Sequence, residues 1–169
     1  MKSHAEWEKK FTDAYNAYSD ALFRFCFFRV FDREKAKEFV QDTFTRGWDY
    51  VRRGNNIKNI RAFLYTTARN IIIDEARKRN RMKTEPIENY ENVLCENPKQ
   101  TLNAEIEIAC DELKKLDEPY REAVTMRFID GFSPKEIAAF LGETENVVSV
   151  RIHRGVAKLR ALLHRTFTP

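Results

Sequence analysis

The chain has 169 residues, a net charge of +4 and a pI near 9.0. It contains only 5 glycines and 5 prolines, which favours helices over turn-rich β structure. No apolar run reaches the roughly 20 residues that a membrane-spanning helix needs, and the N-terminus lacks the apolar core of a secretory signal. We therefore expect an all-α, cytoplasmic protein without membrane insertion.

Three helical patterns fill the first half of the chain. The first runs from Trp7 to Val30, the second begins after a capping Asp32, and the third covers Ile60–Arg79. Residues 52–59 contain a glycine and three asparagines, so they are predicted to form a loop. The side chains expected to face inward are Phe11, Tyr15, Tyr18, Leu22, Phe25, Cys26, Ala36, Val40, Phe44, Trp48, Val51, Leu64, Ala68, Ile71 and Ile72.

Two of these helices carry distinctive polar surfaces. The second has a polar face made of Glu38, Gln41, Asp42, Thr45 and Asp49. The third is basic towards its C-terminal end and has interleaved aromatic residues. That combination is typical of single-stranded nucleic-acid binding, because any base can stack on an aromatic ring. A solvated helix whose cations complement its dipole explains the same pattern equally well, and for the aromatic residues alone core packing is more common than base stacking.

The composition changes after the third helix. Residues 80–101 are polar, include two prolines and show no sustained period, which predicts a flexible linker. A helix follows that carries Ile106, Leu113 and Leu116 and ends near Asp117. Another begins near Pro119, with an apolar stripe of Ala123, Val124 and Phe128. The isolated cysteines, Cys26, Cys95 and Cys110, predict free or buried thiols and no metal site.

The last forty residues carry the strongest local pattern. Ser133, Pro134 and Glu136 form a capping box with proline at the first helical position. Gly142 ends that short helix and Thr144 can cap the next. The apolar positions are Ile137, Ala138 and Leu141, then Val148, Ile152, Val156, Leu159 and Leu163. Two helices joined through a glycine turn predict a helix-turn-helix.

The charge of the last helix suits DNA. No acidic residue follows Glu145, whereas basic residues recur to the end of the chain. In a helix-turn-helix, the start of the second helix meets base edges in the major groove, and basic side chains further along reach phosphates. A solvated basic face on a helical hairpin is the alternative interpretation.

Three segments together resemble the extracytoplasmic-function (ECF) sigma factors. They are AKEFVQDTFTRGW (36–48), IRAFLYTTARNIIIDEARKRNR (60–81) and LDEPYREAVTMRFIDGFSPKEIAAFLGETENVVSVRIHRGVAKLRALL (116–163). The resemblance implies a helical core-polymerase and −10 domain (1–82), a linker (83–103) and a helix-turn-helix −35 domain (104–169). It also implies core RNA polymerase and promoter DNA, as duplex and as non-template single strand, as partners. An anti-sigma protein and a monomeric free state are further expectations, with no cofactor.

The resemblance assigns the candidate contact residues. Those for polymerase are Glu38, Gln41, Asp42 and Thr45. Those for the −10 element are Asn55, Asn56, Arg61, Tyr65, Arg69, Asn70 and Arg77. Those for the −35 element are Ser133, Lys135, Thr144, Asn146, Ser149, Val150, Arg151, His153, Arg154 and Lys158. The family's frequent Gly-Thr-Val-Lys-Ser-Arg stands here as Asn-Val-Val-Ser-Val-Arg (146–151), so the resemblance does not give the promoter sequence.

Two rival functions are weighed against this one. A helix-turn-helix regulator that never engages polymerase would use the last helices but leave the polar second helix without a role. An enzyme acting on nucleic acid would need a cluster of catalytic groups. The histidines, His4, His153 and His164, are scattered, and there is no phosphate-binding glycine-rich loop. We therefore expect no enzymatic activity.

Overall fold

The computed structural model describes residues 4–82 and 104–167. These residues form seven helices and no strand, which confirms the all-α prediction. The chain divides into two compact units, residues 1–96 and 97–169. Cys95 and the predicted linker beyond residue 82 lie outside the described residues.

The first unit is built from three helices: α1 (His4–Val30), α2 (Arg33–Arg52) and α3 (Ile60–Met82). Each packs against the other two. The Asp32 carboxylate accepts a hydrogen bond from the Lys35 backbone N–H at 3.0 Å, as the sequence predicts. Leu22, Phe25 and Leu64 are fully buried at the centre of this unit. Residues 53–59 connect α2 to α3 without helical structure, which confirms the predicted loop.

Some predicted inward positions in the first unit are wrong. Tyr15 is 53% exposed, with its ring 5.0 Å from that of Phe44, because the apolar face of α1 is completed by Ala14 instead. Phe39 and Thr43 are buried although the sequence pattern did not select them. The buried Thr43 hydroxyl donates to the Phe39 carbonyl at 2.6 Å, which satisfies its polar group inside the core.

The second unit contains α4 (Ala104–Lys114), α5 (Glu118–Phe128), α6 (Pro134–Leu141) and α7 (Glu145–Phe167). The long helix α7 packs against each of the other three. Met126, Ile137 and Val148 are fully buried between them. Phe128 is 63% exposed, so its predicted inward position is wrong, and the buried aromatic residue at this corner is Phe132.

The predicted caps of the helix-turn-helix are all present. The Ser133 hydroxyl accepts from the Glu136 backbone N–H at 3.2 Å, and the Glu136 carboxylate accepts from the Ser133 N–H at 2.8 Å. Gly142 ends α6 with a φ of 68°, the left-handed conformation that glycine adopts without strain. The Thr144 hydroxyl accepts from the Val147 N–H at 3.3 Å. These contacts fix the angle at which α7 leaves the turn.

Candidate nucleic-acid and polymerase interface

A polar stripe follows the exposed side of α2. Its members, Glu38, Gln41, Asp42 and Thr45, are all exposed and fall at helical spacing; we call them the acidic stripe. Within the described residues, neither Glu38 nor Asp42 has an ion-pair partner. The Thr45 hydroxyl donates to the Gln41 carbonyl at 2.9 Å. The stripe therefore presents two uncompensated carboxylates to a partner.

A concave pocket of about 480 Å³ opens beside the loop that follows α2. It is lined by His4, Trp7, Val51, Arg52, Gly54, Asn55 and Asn56, and we call it the loop pocket. The Asn55 amide donates to the Tyr50 carbonyl at 3.1 Å, which holds that side chain at the rim. Of these lining residues, only Asn55 and Asn56 were predicted from the sequence to contact the −10 element. Trp7 was identified only as the first residue of the helical pattern of α1, and no sequence pattern pointed to His4.

The predicted single-strand surface of α3 is only partly formed. Asn70 and Arg77 are exposed, and Arg61 and Arg69 are partly buried. Tyr65 is only 2% exposed and packs edge-on against Phe25, with ring centroids 5.0 Å apart. Its ring faces are therefore not available to stack on a base, which corrects its assignment as a −10 contact. Tyr65 belongs to the core because it shares the inner face of α3 with the fully buried Ala68, three residues later.

The basic end of α3 is partly neutralised by ion pairs. Glu75 accepts from Lys35 of α2 at 2.6 Å and lies 3.6 Å from Arg79. The hydrogen bond from Lys35 lowers the pKa of Glu75 against the opposing effect of partial burial. Arg77 lies 3.9 Å from Asp74. Lys78 and Arg81, which are also exposed, are the cations at this end of α3 that form no ion pair with another described residue.

The outer side of α7 carries most of the predicted −35 residues. Asn146, Ser149, Val150, His153 and Arg154 are all exposed, and we call them the reading face. Lys135 on α6 and Thr144 in the turn are exposed as well. Ser133 is different, because its hydroxyl also donates to Glu136 at 2.9 Å within the cap. The role of Ser133 is therefore to cap the N-terminus of α6.

Two cations of α7 are held by acidic residues from other parts of the second unit. Arg151 donates to Glu143, in the turn before α7, at 2.9 Å. Lys158 donates to Asp117, at the start of α5, at 2.9 Å and lies 4.4 Å from the centre of the Tyr120 ring. The hydrogen bond to Asp117 raises the pKa of Lys158. Both cations flank the reading face, where their positions suit phosphate contact.

The described residues hold no group of three or more His, Cys, Asp or Glu side chains that could bind a metal ion. None of the helices in residues 4–82 and 104–167 is long and apolar enough to cross a bilayer.

Known proteins similar to this chain share its order of regions. The family model for sigma-70 region 2 matches residues 14–82, and that for sigma-70 region 4 matches residues 111–159. The ECF sigma factor SigL of Mycobacterium tuberculosis is 28% identical, with 88% of this chain and 86% of SigL covered. The ECF sigma factor EcfG of Rhodopseudomonas palustris is 31% identical, with 78% and 72% covered.

Solved structures show the same similarity. The sigma factor RpoE of Bartonella quintana, in complex with the anti-sigma factor NepR, matches with a TM-score of 0.72, 25% identity and coverage of 92% and 97%. CnrH, in complex with the cytosolic domain of CnrY, matches with a TM-score of 0.69, 26% identity and coverage of 94% and 90%. With both sigma-70 regions in this order and 31% identity to a curated member, the chain belongs to the ECF RNA polymerase sigma factors, which bind core polymerase and direct transcription initiation at promoters.

Proposed function

We propose that three surfaces of this chain divide the work of promoter-specific initiation, and that none of them is catalytic. The observation that carries the proposal is that one chain has both an acidic stripe without ion-pair partners and a basic, capped helix-turn-helix. A regulator that bound DNA alone would need only the second. The working domain boundaries are 1–82 and 104–169, joined by 83–103.

The acidic stripe is the proposed polymerase contact. Glu38 and Asp42 project from the middle of α2, which is anchored along its other side by buried Ala36, Phe39 and Val40. A rigid helix that presents uncompensated carboxylates favours a basic partner surface, since charge complementarity speeds encounter and excludes wrong partners. Gln41 and Thr45 add hydrogen-bonding groups along the same line.

The loop pocket is the proposed site for an unstacked base of the −10 element. Moving a base out of the stack costs a few kcal/mol, so the protein must provide compensating contacts. The amides of Asn55 and Asn56 supply donors and acceptors at the pocket rim. Asn70, Arg61, Arg69 and Arg77 are proposed to hold the neighbouring sugar-phosphate backbone of the non-template strand.

The reading face is the proposed −35 contact. Asn146, Ser149, Val150, His153 and Arg154 lie where a recognition helix meets base edges. Lys135, Thr144, Arg151 and Lys158 surround it and are assigned to phosphates. We propose that Ser133 acts through the cap of α6. Two linked contacts on one promoter raise the effective concentration of each.

An anti-sigma protein is the proposed regulator, because the relatives RpoE and CnrH were solved in complexes, RpoE with an anti-sigma factor. The second unit offers an apolar groove for such a partner along α7, lined by Val156, Leu159, Arg160, Leu163 and His164. The free chain is proposed to be a monomer and to work in the cytoplasm.

The test adds the full chain to sigma-free core RNA polymerase and measures both binding and run-off transcription from promoter fragments. Glu38→Lys combined with Asp42→Lys is expected to weaken core binding by about a hundredfold, since like charges would then face each other. The control, Asp13→Lys with Asp20→Lys, makes the same charge change on exposed positions of α1 and should bind like the wild type. Duplex DNA binding without any core binding would instead establish the regulator.

A further inference from the structure

Val150 occupies the outermost position of α7. Val148, two residues earlier, is fully buried, whereas Val150 is 40% exposed. At 3.6 residues per turn, two residues rotate the side chain by about 200°, so Val150 points almost directly away from the core. Its methyl groups therefore add little to the packing of the second unit.

The neighbours of Val150 on the helix surface are polar or basic apart from Val147, which is half-buried. Asn146 lies four residues before it, and His153 and Arg154 lie three and four residues after it, so all share its face. Of the other exposed large apolar residues in the described chain, Tyr15 packs on Phe44 and Tyr50 on Phe63, whereas Phe128 is the last residue of a different helix, α5. Val150 is therefore the one apolar member of the reading face, and the other members of that face are polar or basic.

The major groove contains one apolar group that such a side chain can recognise, the 5-methyl of thymine. We infer that Val150 is a specificity-determining residue whose methyl groups contact a thymine in the upstream promoter duplex. Asn146, one turn earlier, has the amide that matches the N6 and N7 atoms of adenine, so an A·T-containing step suits the pair. The inference rests on the proposed function, in which the reading face of α7 enters the major groove.

The test uses holoenzyme made from the full chain and core polymerase. The upstream duplex is first selected from a randomised pool, and each thymine of the selected sequence is then replaced singly by uracil, which lacks only the methyl group. We expect the wild type to bind about fourfold more weakly when one particular thymine is replaced. Val150→Ala should bind the thymine and uracil duplexes equally at that position. Val150→Thr, which keeps one methyl group, should retain part of the preference.

The outcomes separate the inference from the proposed function. If the wild type selects an upstream sequence but Val150→Ala keeps the full thymine preference, or no thymine is sensitive, the inference is wrong and the proposed function stands. If the wild type selects no upstream sequence at all, the proposed −35 role of α7 is wrong. Urea unfolding of Val150→Ala should match the wild type, because the side chain is exposed.

Discussion

The two helices with the proposed DNA contacts, α3 and α7, have the same length of 23 residues but are positioned differently. α7 follows a short turn bounded by Gly142 and Thr144, and the Ser133–Glu136 box caps the helix α6 that leads into this turn. α3 follows a longer loop, and the pocket beside it also needs His4 from the start of α1. The proposed −35 surface is thus specified by neighbours in sequence, and the proposed −10 surface by residues brought together through folding.

The two units also differ at the glycines where their helices approach most closely. Gly47 of α2 lets the Phe11 ring approach, where an added Cβ would lie 2.9 Å from a ring carbon. Gly155 of α7 faces the Val124 methyl group and the Tyr120 carbonyl, at 2.6 and 3.2 Å from such a Cβ. A ring on one side chain can shift, whereas a backbone carbonyl is held by its helix. We infer that the α5–α7 contact tolerates less change.

Gly155→Ala should have the largest effect on stability. Overpacking at this contact costs about 3 kcal/mol and alanine returns about 1 kcal/mol of helix propensity, so the free energy of unfolding of the second unit should fall by about 2 kcal/mol. Gly47→Ala should change the free energy of unfolding of the first unit by no more than about 1 kcal/mol, since the Phe11 ring can move.

Urea unfolding separates the two effects. Both tryptophans of the chain, Trp7 and Trp48, lie in the first unit, so their fluorescence follows that unit, while circular dichroism follows both. Gly155→Ala should shift the circular dichroism transition and leave fluorescence unchanged. A larger shift for Gly47→Ala than for Gly155→Ala would contradict the comparison.

The contrast between local and long-range contacts also explains which features could be predicted from the sequence and which could not. The caps of α2, α6 and α7 were predictable because each depends on residues three positions apart. The burial of Tyr65 was not, because an aromatic residue in a basic helix fits both a core and a stacking platform, and only packing against Phe25 decides. The lining of the loop pocket by His4 and Trp7 depends on where α1 meets the α2–α3 loop, a contact across about fifty residues that no local pattern encodes.

The second prediction concerns the ion pair that crosses from the turn to α7. Glu143→Gln should free Arg151 and tighten binding to random-sequence duplex about threefold, since an exposed pair contributes up to about 1 kcal/mol. Fluorescence anisotropy at several salt concentrations should also show a steeper salt dependence. The matched control is Glu145→Gln, which removes an equal charge from an exposed residue of the same segment. Equal gains from both variants would show that Arg151 is not restrained by Glu143.

The smallest effect is expected from removing the ion pair between Lys35 and Glu75 in the first unit, which should change how stability depends on pH. Because the folded-state pKa of Glu75 is lowered, mainly by the Lys35 hydrogen bond, the pair stabilises the unit above the usual Glu pKa. That contribution is lost as the pH falls through the lowered folded-state value. Glu75→Gln and Lys35→Met should therefore both flatten the loss of stability below about pH 5, measured by tryptophan fluorescence in urea. An acid dependence as steep as that of the wild type in both variants would show that α2 and α3 are joined by apolar packing alone.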